Sequence, residues 1–250
     1  MYDEPRVPEL KIKELAEFLN KKIKVKVEVR DPFLNFFNVK QRIATQIASC
    51  KILNLYSPFE IHKPTIDEVT FEIQDDEKSK HDNIILYDGF ELQNVFNSTI
   101  PESELLANTF HIIFTTRLTC TFDYSDYRYH GRAVICSNPS IISTTGIIEA
   151  PAKPREYYLK LSEMYHQGLN LETIKEEFKG RYLEYHDKNL GAVVKGYAMQ
   201  AIFYYLTGNA FCESKDCMLY NAHWQEDLLH SQIKIGQLCN WHEKLLESSA

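Results

Sequence analysis

Two short-spaced pairs of ligand-type residues constrain this chain more than any other feature. Cys212 and Cys217 are separated by four residues; after 21 more come Cys239 and His242, separated by two. Thiolate and imidazole are the donors that zinc prefers, and two close pairs joined by a longer segment are how one chain surrounds a tetrahedral ion. Whatever the intervening residues do, the turn at 212–217 and the segment from Cys239 then have to meet. The set reads as one structural Zn²⁺ with four protein ligands and no open position for a reactive water. The competing reading is two buried thiols, a surface thiol and a surface histidine. Of the four, His242 has substitutes, since His223 or His230 could take its place.

The rest of the chain is ordinary for a folded protein. Its 250 residues suffice for one large domain or two small ones, and 44% hydrophobic with 25% charged residues argues for a core and against disorder. A net charge of -7 speaks against general nucleic-acid binding, which depends on neutralising phosphates. The one basic run, Lys21, Lys22, Lys24 and Lys26, alternates with apolar residues and reads as the solvated face of a strand. No run reaches 18 apolar residues, so no membrane span is expected. The start, Met-Tyr-Asp-Glu-Pro, is acidic and lacks the apolar stretch of a signal peptide, which predicts a cytoplasmic protein. There the six cysteines are expected as thiols or metal ligands, with Cys50, Cys120 and Cys136 buried.

Hydrophobic periodicity predicts an α+β fold. Residues 8–20 and 39–53 carry apolar residues at helical spacing, whereas 22–30 alternate strictly through Ile23, Val25, Val27 and Val29, as a half-buried strand does. Further strands are expected at 68–73, 84–87, 111–116, 129–136 and 140–148, with a polar mobile loop at 74–83. Pro151 and Pro154 end this region, and helices are expected at 155–166, 171–178, 192–206 and 220–238. The organisation predicted is an α/β subdomain, 1–150, and a helical subdomain, 151–250, sharing one core and leaving a cleft between them.

With its flanks, the cysteine segment resembles the archaemetzincins, a branch of the metzincin zinc peptidases. Their signature runs His-Glu-x2-His-x2-Gly-x3-Cys-x4-Cys-Met and closes with Cys-x2-Cys. Gly208, Cys212, Cys217 and Met218 fall at the matching spacings, and Cys239 with His242 stands for the closing pair. Upstream, 111–118, His130-Gly131-Arg132-Ala133 and 141–144 resemble the family's strands in order, so the likeness covers 109–148 and 191–242. The chain is also similar to uncharacterised archaeal proteins labelled as metallopeptidases. The resemblance implies a metzincin-like mixed twisted sheet with helices, a helical C-terminal part clipped by zinc, and Met218 flooring a metal site. It also exposes a departure. The two histidines and the glutamate of the signature fall on Ala201, Tyr205 and Ile202, and a third metal-ligand position falls on Phe211. Metal-assisted hydrolysis needs two imidazoles one helical turn apart with a carboxylate beside them, and these side chains supply neither.

Three readings of function follow. In the first, the catalytic zinc is lost, the structural zinc is kept, and a peptide or protein segment binds in the inherited cleft. Tyr129, His130 and Arg132 on an edge strand would then line the binding site together with Tyr205. In the second, an active hydrolase is rebuilt around His223, Glu226 and either His130 or His230; His223, Glu226 and His230 fall on roughly one face if 220–238 is a helix; the plain alternative is a polar helix face. In the third, the protein is a zinc-stapled interaction module whose cleft is filled by Phe203, Tyr204, Tyr205 and Phe211.

Overall fold

The structure, a computed structural model, describes residues 1–74, 84–105, 109–167 and 172–249. It is an α+β protein whose chain divides into two compact units. One comprises Met1–Pro8 and Lys26–Ile147; the other comprises Glu9–Val25 and the chain from Ile148 onward. The N-terminal helix, α1 (Ile12–Ile23), belongs to the second unit.

The first unit holds α2 (Phe33–Phe36), α3 (Lys40–Ser49), α4 (Ile66–Gln74), β1 (Leu86–Asp88), α5 (Gly89–Asn97) and five further strands. These are β2 (Ile112–Thr115), β3 (Leu118–Asp123), β4 (Arg128–Arg132), β5 (Val134–Ile135) and β6 (Ser140–Ser143). They form two small mixed sheets, ordered β1-β3-β4 and β2-β6-β5. In the first, β1 runs parallel to β3 and β4 antiparallel to it, with Phe122 opposite Tyr129. In the second, β2 is parallel to β6 with Ile113 opposite Ile141, and β5 is antiparallel. Every residue of β2 and β6 is buried; the apolar, β-branched run of β2 predicts this, whereas β6 buries Ser140 and Ser143 as well as its two isoleucines. The core of the unit gathers Tyr2, Phe33, Ile47, Leu92, Phe96, Ile113 and Ile141. The single strand expected at 129–136 is shared between the sheets, dividing at Ala133.

Three other expectations for the first 150 residues change. The alternating segment at 22–30 makes no strand. Ile23 ends α1, buried in one stripe with Ile12, Leu15, Ala16 and Leu19, and Lys24 closes the helix in the left-handed region, φ 51°. Val25 and Val29 are exposed, and Arg30 makes only an isolated bridge to Tyr2. The segment pairs with the first residues of the chain only at its far end, where Arg30 N–H donates to Met1 O and Asp3 N–H to Arg30 O, and this contact is too short to make a strand. The strand expected at 68–73 is α4, because Thr65 and Glu68 form a reciprocal capping box: Glu68 N–H donates to Thr65 Oγ1 and Thr65 N–H to Glu68 Oε2. The strand expected at 140–148 stops at Ser143. The Ser143 hydroxyl accepts from Gly146 N–H and donates to Arg117 O, opening α6 (Thr144–Glu149). The loop expected at 74–83 lies, apart from Gln74, outside the described residues.

The second unit is helical: α1, α7 (Arg155–Gln167), α8 (Glu172–Glu177), α9 (Leu190–Thr207), α10 (Gln225–Leu229), a π-helical turn (His230–Ile235) and α11 (Asn240–Ser249). α9 is apolar on all sides and is accordingly buried along most of its length, through Phe203. It ends at Gly208, φ 76°, whose N–H donates to Tyr204 O. The apolar stripe of α1 packs on α9, and Lys22 pairs with Glu243 of α11. The long helix expected at 220–238 is only α10 and the π turn, because Trp224 is extended and bridges to Ala152. Among the described residues no helix is long and apolar enough to cross a membrane.

Candidate metal centre

Beyond Gly208 the chain folds into a hairpin-like turn that presents two sulfurs. Cys212 bridges to Tyr220, its N–H donating to Leu219 O at 2.9 Å. Within that loop Cys217 N–H donates to Ser214 O and Tyr220 N–H to Cys217 O, closing two successive tight turns. Met218 N–H donates to Gln237 O at 2.9 Å, which ties this loop to the segment leading into Cys239. Cys239 precedes α11 and His242 lies in its first turn, with Glu243 N–H donating to Cys239 O. A Cys-x2-His pair astride a helix start sets both side chains on one side of it.

The outcome is a group of four. One donor atom from each of Cys212, Cys217, Cys239 and His242 lies within 4.8 Å of the others. His242 Nδ1 stands 3.1 Å from Cys239 Sγ and 3.7 Å from Cys217 Sγ. A tetrahedral zinc with ordinary Zn–S and Zn–N bonds separates its donors by roughly 3.5 Å, so the donor set fits such an ion in both chemistry and span. The imidazole is held edge-on by Phe203 and Trp241, at 5.2 and 4.5 Å between ring centroids, which leaves Nδ1 turned to the sulfurs.

The surroundings prepare the sulfurs for a cation. Ser214 N–H donates to Cys212 Sγ and Cys239 N–H to Cys217 Sγ, both at 3.4 Å, bonds that disperse thiolate charge. Burial pushes the Cys217 thiol up to about 12. At Cys239 burial acts in the same direction but is outweighed by hydrogen bonds from the His242 and Trp241 backbone and from the neighbouring thiols, which hold this group below its ordinary value. Burial lowers the His242 imidazole and favours its neutral, ligating form.

The other candidate residues are dispersed. His223 precedes α10 and is exposed, its carbonyl accepting from Ala152 N–H. Glu226 pairs with Arg181 at 2.7 Å, and His230 Nε2 meets Asp216 Oδ1 at 2.8 Å. The helical face that would unite His223, Glu226 and His230 does not form, because α10 starts only at Gln225. Ala201 and Ile202 are buried in α9, Phe211 is exposed, and Tyr205 lies in the last turns of α9. On β4, alternation sets Tyr129 on one face and His130 with Arg132 on the other. Tyr129 donates its hydroxyl to Asp88 Oδ2, and Arg132 Nε donates to Thr121 Oγ1. His130 Nε2 lies 3.0 Å from both oxygens of Asp126. With Asp123 these two make a second group spaced for a cation, on the β3–β4 hairpin. The sequence reading missed it, although Asp-x2-Asp-x3-His across a turn was visible. Asp126 is also engaged by Arg128 at 2.6 Å.

Fold and site together define an α+β protein with a Cys3His group suited to a metal ion. A family model described as "Probable metallopeptidase family (DUF6775)" matches residues 1–249, and the chain belongs to that family. No curated protein and no solved structure matches it.

Proposed function

We propose that this member of the family is a metzincin-like protein of the archaemetzincin type that keeps a structural zinc, has lost the hydrolytic one, and binds a peptide or protein segment. The observation that carries the reading is the convergence of Cys212, Cys217, Cys239 and His242, four protein donors that would fill a tetrahedral shell. Zn²⁺ bound there would supply folding energy by joining the 212–217 turn to the start of α11. Ala201, Ile202, Tyr205 and Phe211, at the positions the resemblance assigns to a hydrolytic site, offer no imidazole or carboxylate. Peptide binding is supported by β4, which is the outermost strand of its sheet and can take an added strand. Tyr129 N–H, which points away from β3, already donates to Leu55 O at 3.0 Å. An incoming strand would therefore meet the outward N–H of Gly131, two residues on, with His130 and Arg132 flanking it.

Metal content per chain tests the reading. Protein purified without added metal or chelator should carry about one zinc, and Cys217→Ser should lose the metal together with the fold of the second unit. About two zincs per chain, with peptide hydrolysis lost in His223→Ala, would replace this reading with an active hydrolase. Absence of zinc from a well-folded protein would overturn it outright.

A further inference from the structure

The second unit buries two glutamines whose oxygens have no partner. Gln200 of α9 and Gln232 of the π turn are each 2% exposed, and neither Oε1 meets a hydrogen-bond donor. Their amide nitrogens, by contrast, are both committed. Gln200 Nε2 donates to Tyr220 O at 3.1 Å and Gln232 Nε2 donates to Met218 O at 2.8 Å. Each amide's orientation follows from its partner, since turning it over would set two oxygens against each other. Burying a carboxamide with its oxygen unpaired is costly.

What the two donors hold is the main chain of the metal centre. They grip alternate carbonyls of Met218-Leu219-Tyr220, directly after Cys217. The carbonyl between them, Leu219 O, accepts from Cys212 N–H. Met218 N–H in turn donates to Gln237 O, two residues before Cys239. The segment is thus bound at successive groups by both ligand pairs and by both glutamines. Gly196 provides the space for this. A Cβ there would lie 1.4 Å from Gln232 Oε1 and 2.1 Å from Gln232 Cδ, so no side chain larger than hydrogen is compatible with Gln232 in its place. Gly196 and Gln200 are one helical turn apart, which sets the two carboxamides side by side along α9. Gln232 itself lies within the π turn.

We propose that Gln200, Gln232 and Gly196 are positioning residues of the metal centre. The two carboxamides clamp the Met218–Tyr220 backbone and so hold the Cys217 sulfur in register with Cys212, Cys239 and His242, and Gly196 admits the second carboxamide. The proposal rests on the reading of the Cys3His group as a zinc site. It assigns to these residues a share of metal affinity and geometry, beyond their share in packing.

Cobalt(II), whose thiolate charge-transfer and ligand-field bands report tetrahedral geometry, is the probe, and competition with a chromophoric chelator gives the affinity for cobalt and zinc. Gln232→Met removes the clamp at nearly constant volume. It should weaken metal binding by about 10- to 100-fold, the range typical of residues that orient metal ligands, and lower the ligand-field intensity while far-UV circular dichroism is unchanged. Gly196→Ala should do the same or fail to fold. Gly196→Ala combined with Gln232→Ala restores the space without the clamp. That double variant should recover thermal stability but keep the weakened affinity. Wild-type affinity and spectrum in Gln232→Met, with only a lowered Tm, would overturn the proposal, as would full recovery of affinity in the double variant. A wild-type protein that binds neither cobalt nor zinc would remove the centre itself, a different failure from metal binding that ignores these residues.

Discussion

Glu72 of α4 is fully buried, and its carboxylate is met from three directions. Arg117 reaches Oε2 at 2.8 and 3.1 Å, Tyr87 donates its hydroxyl to Oε1 at 2.6 Å, and Lys51 stands 3.5 Å away. Charges taken out of water are tolerable only when every one has a partner, so deleting one member strands the rest. Arg117→Met or Glu72→Gln should therefore cost about 3–5 kcal/mol of stability in urea denaturation. Tyr87→Phe, which removes a single hydrogen bond, should cost about 1–2 kcal/mol. A loss below about 1 kcal/mol in Arg117→Met would show that water reaches the pair and that the network is not a structural centre. None of this was legible in the sequence, which predicts only a short strand over 68–73. The main partner of Glu72 lies 45 residues further on.

At the scale of the element, short polar signals decided boundaries that apolar patterns misplaced. The apolar residues of 68–73 suit a strand or a helix, but Thr65 and Glu68 pre-form the first helical turn, and the capping box settles the choice. Thr65→Ala should accordingly cost about 1 kcal/mol and loosen α4 first, seen as faster amide exchange at Val69 and Thr70 than in β6. Unchanged exchange there would mean that packing on α3, not the cap, holds the helix. The Ser143 hydroxyl acts in the same way where β6 becomes α6. Gln225 does so at the start of α10, where its fully buried carboxamide donates to Ile148 O and accepts from Leu183 N–H. Both signals were readable as residue types; their partners were not, because Arg117, Ile148 and Leu183 come from distant parts of the chain.

For the molecule as a whole, all four ligands of the candidate centre belong to the second unit, while the strands of the first pack around an apolar cluster of their own. Metal removal should therefore act unevenly. Treatment with a strong chelator should raise amide exchange between Asn209 and Glu243 by at least tenfold and leave the amides of β2 and β6 protected. Equal deprotection of both regions would show that the metal stabilises the whole chain as one cooperative body. Unchanged exchange everywhere would show that hydrogen bonds alone hold the ligand loop.

What the sequence determined by itself was whatever depends on near neighbours. The spacing of Cys212, Cys217, Cys239 and His242 brings the donors of each pair within reach of one ion. The apolar, β-branched run of β2 suits a buried strand, and α9, apolar along nearly its whole length, has to be interior. The tertiary structure decided everything that needed a partner from far along the chain. It left the alternating 22–30 segment without a neighbouring strand and divided 129–136 between two sheets. It broke the 220–238 helix before His223 could join Glu226 and His230, and it set Gln232 against Gly196. The physical reason is the same each time. A local pattern states which conformations a segment can adopt, and the choice among them is made by the groups that arrive to satisfy its buried polar atoms.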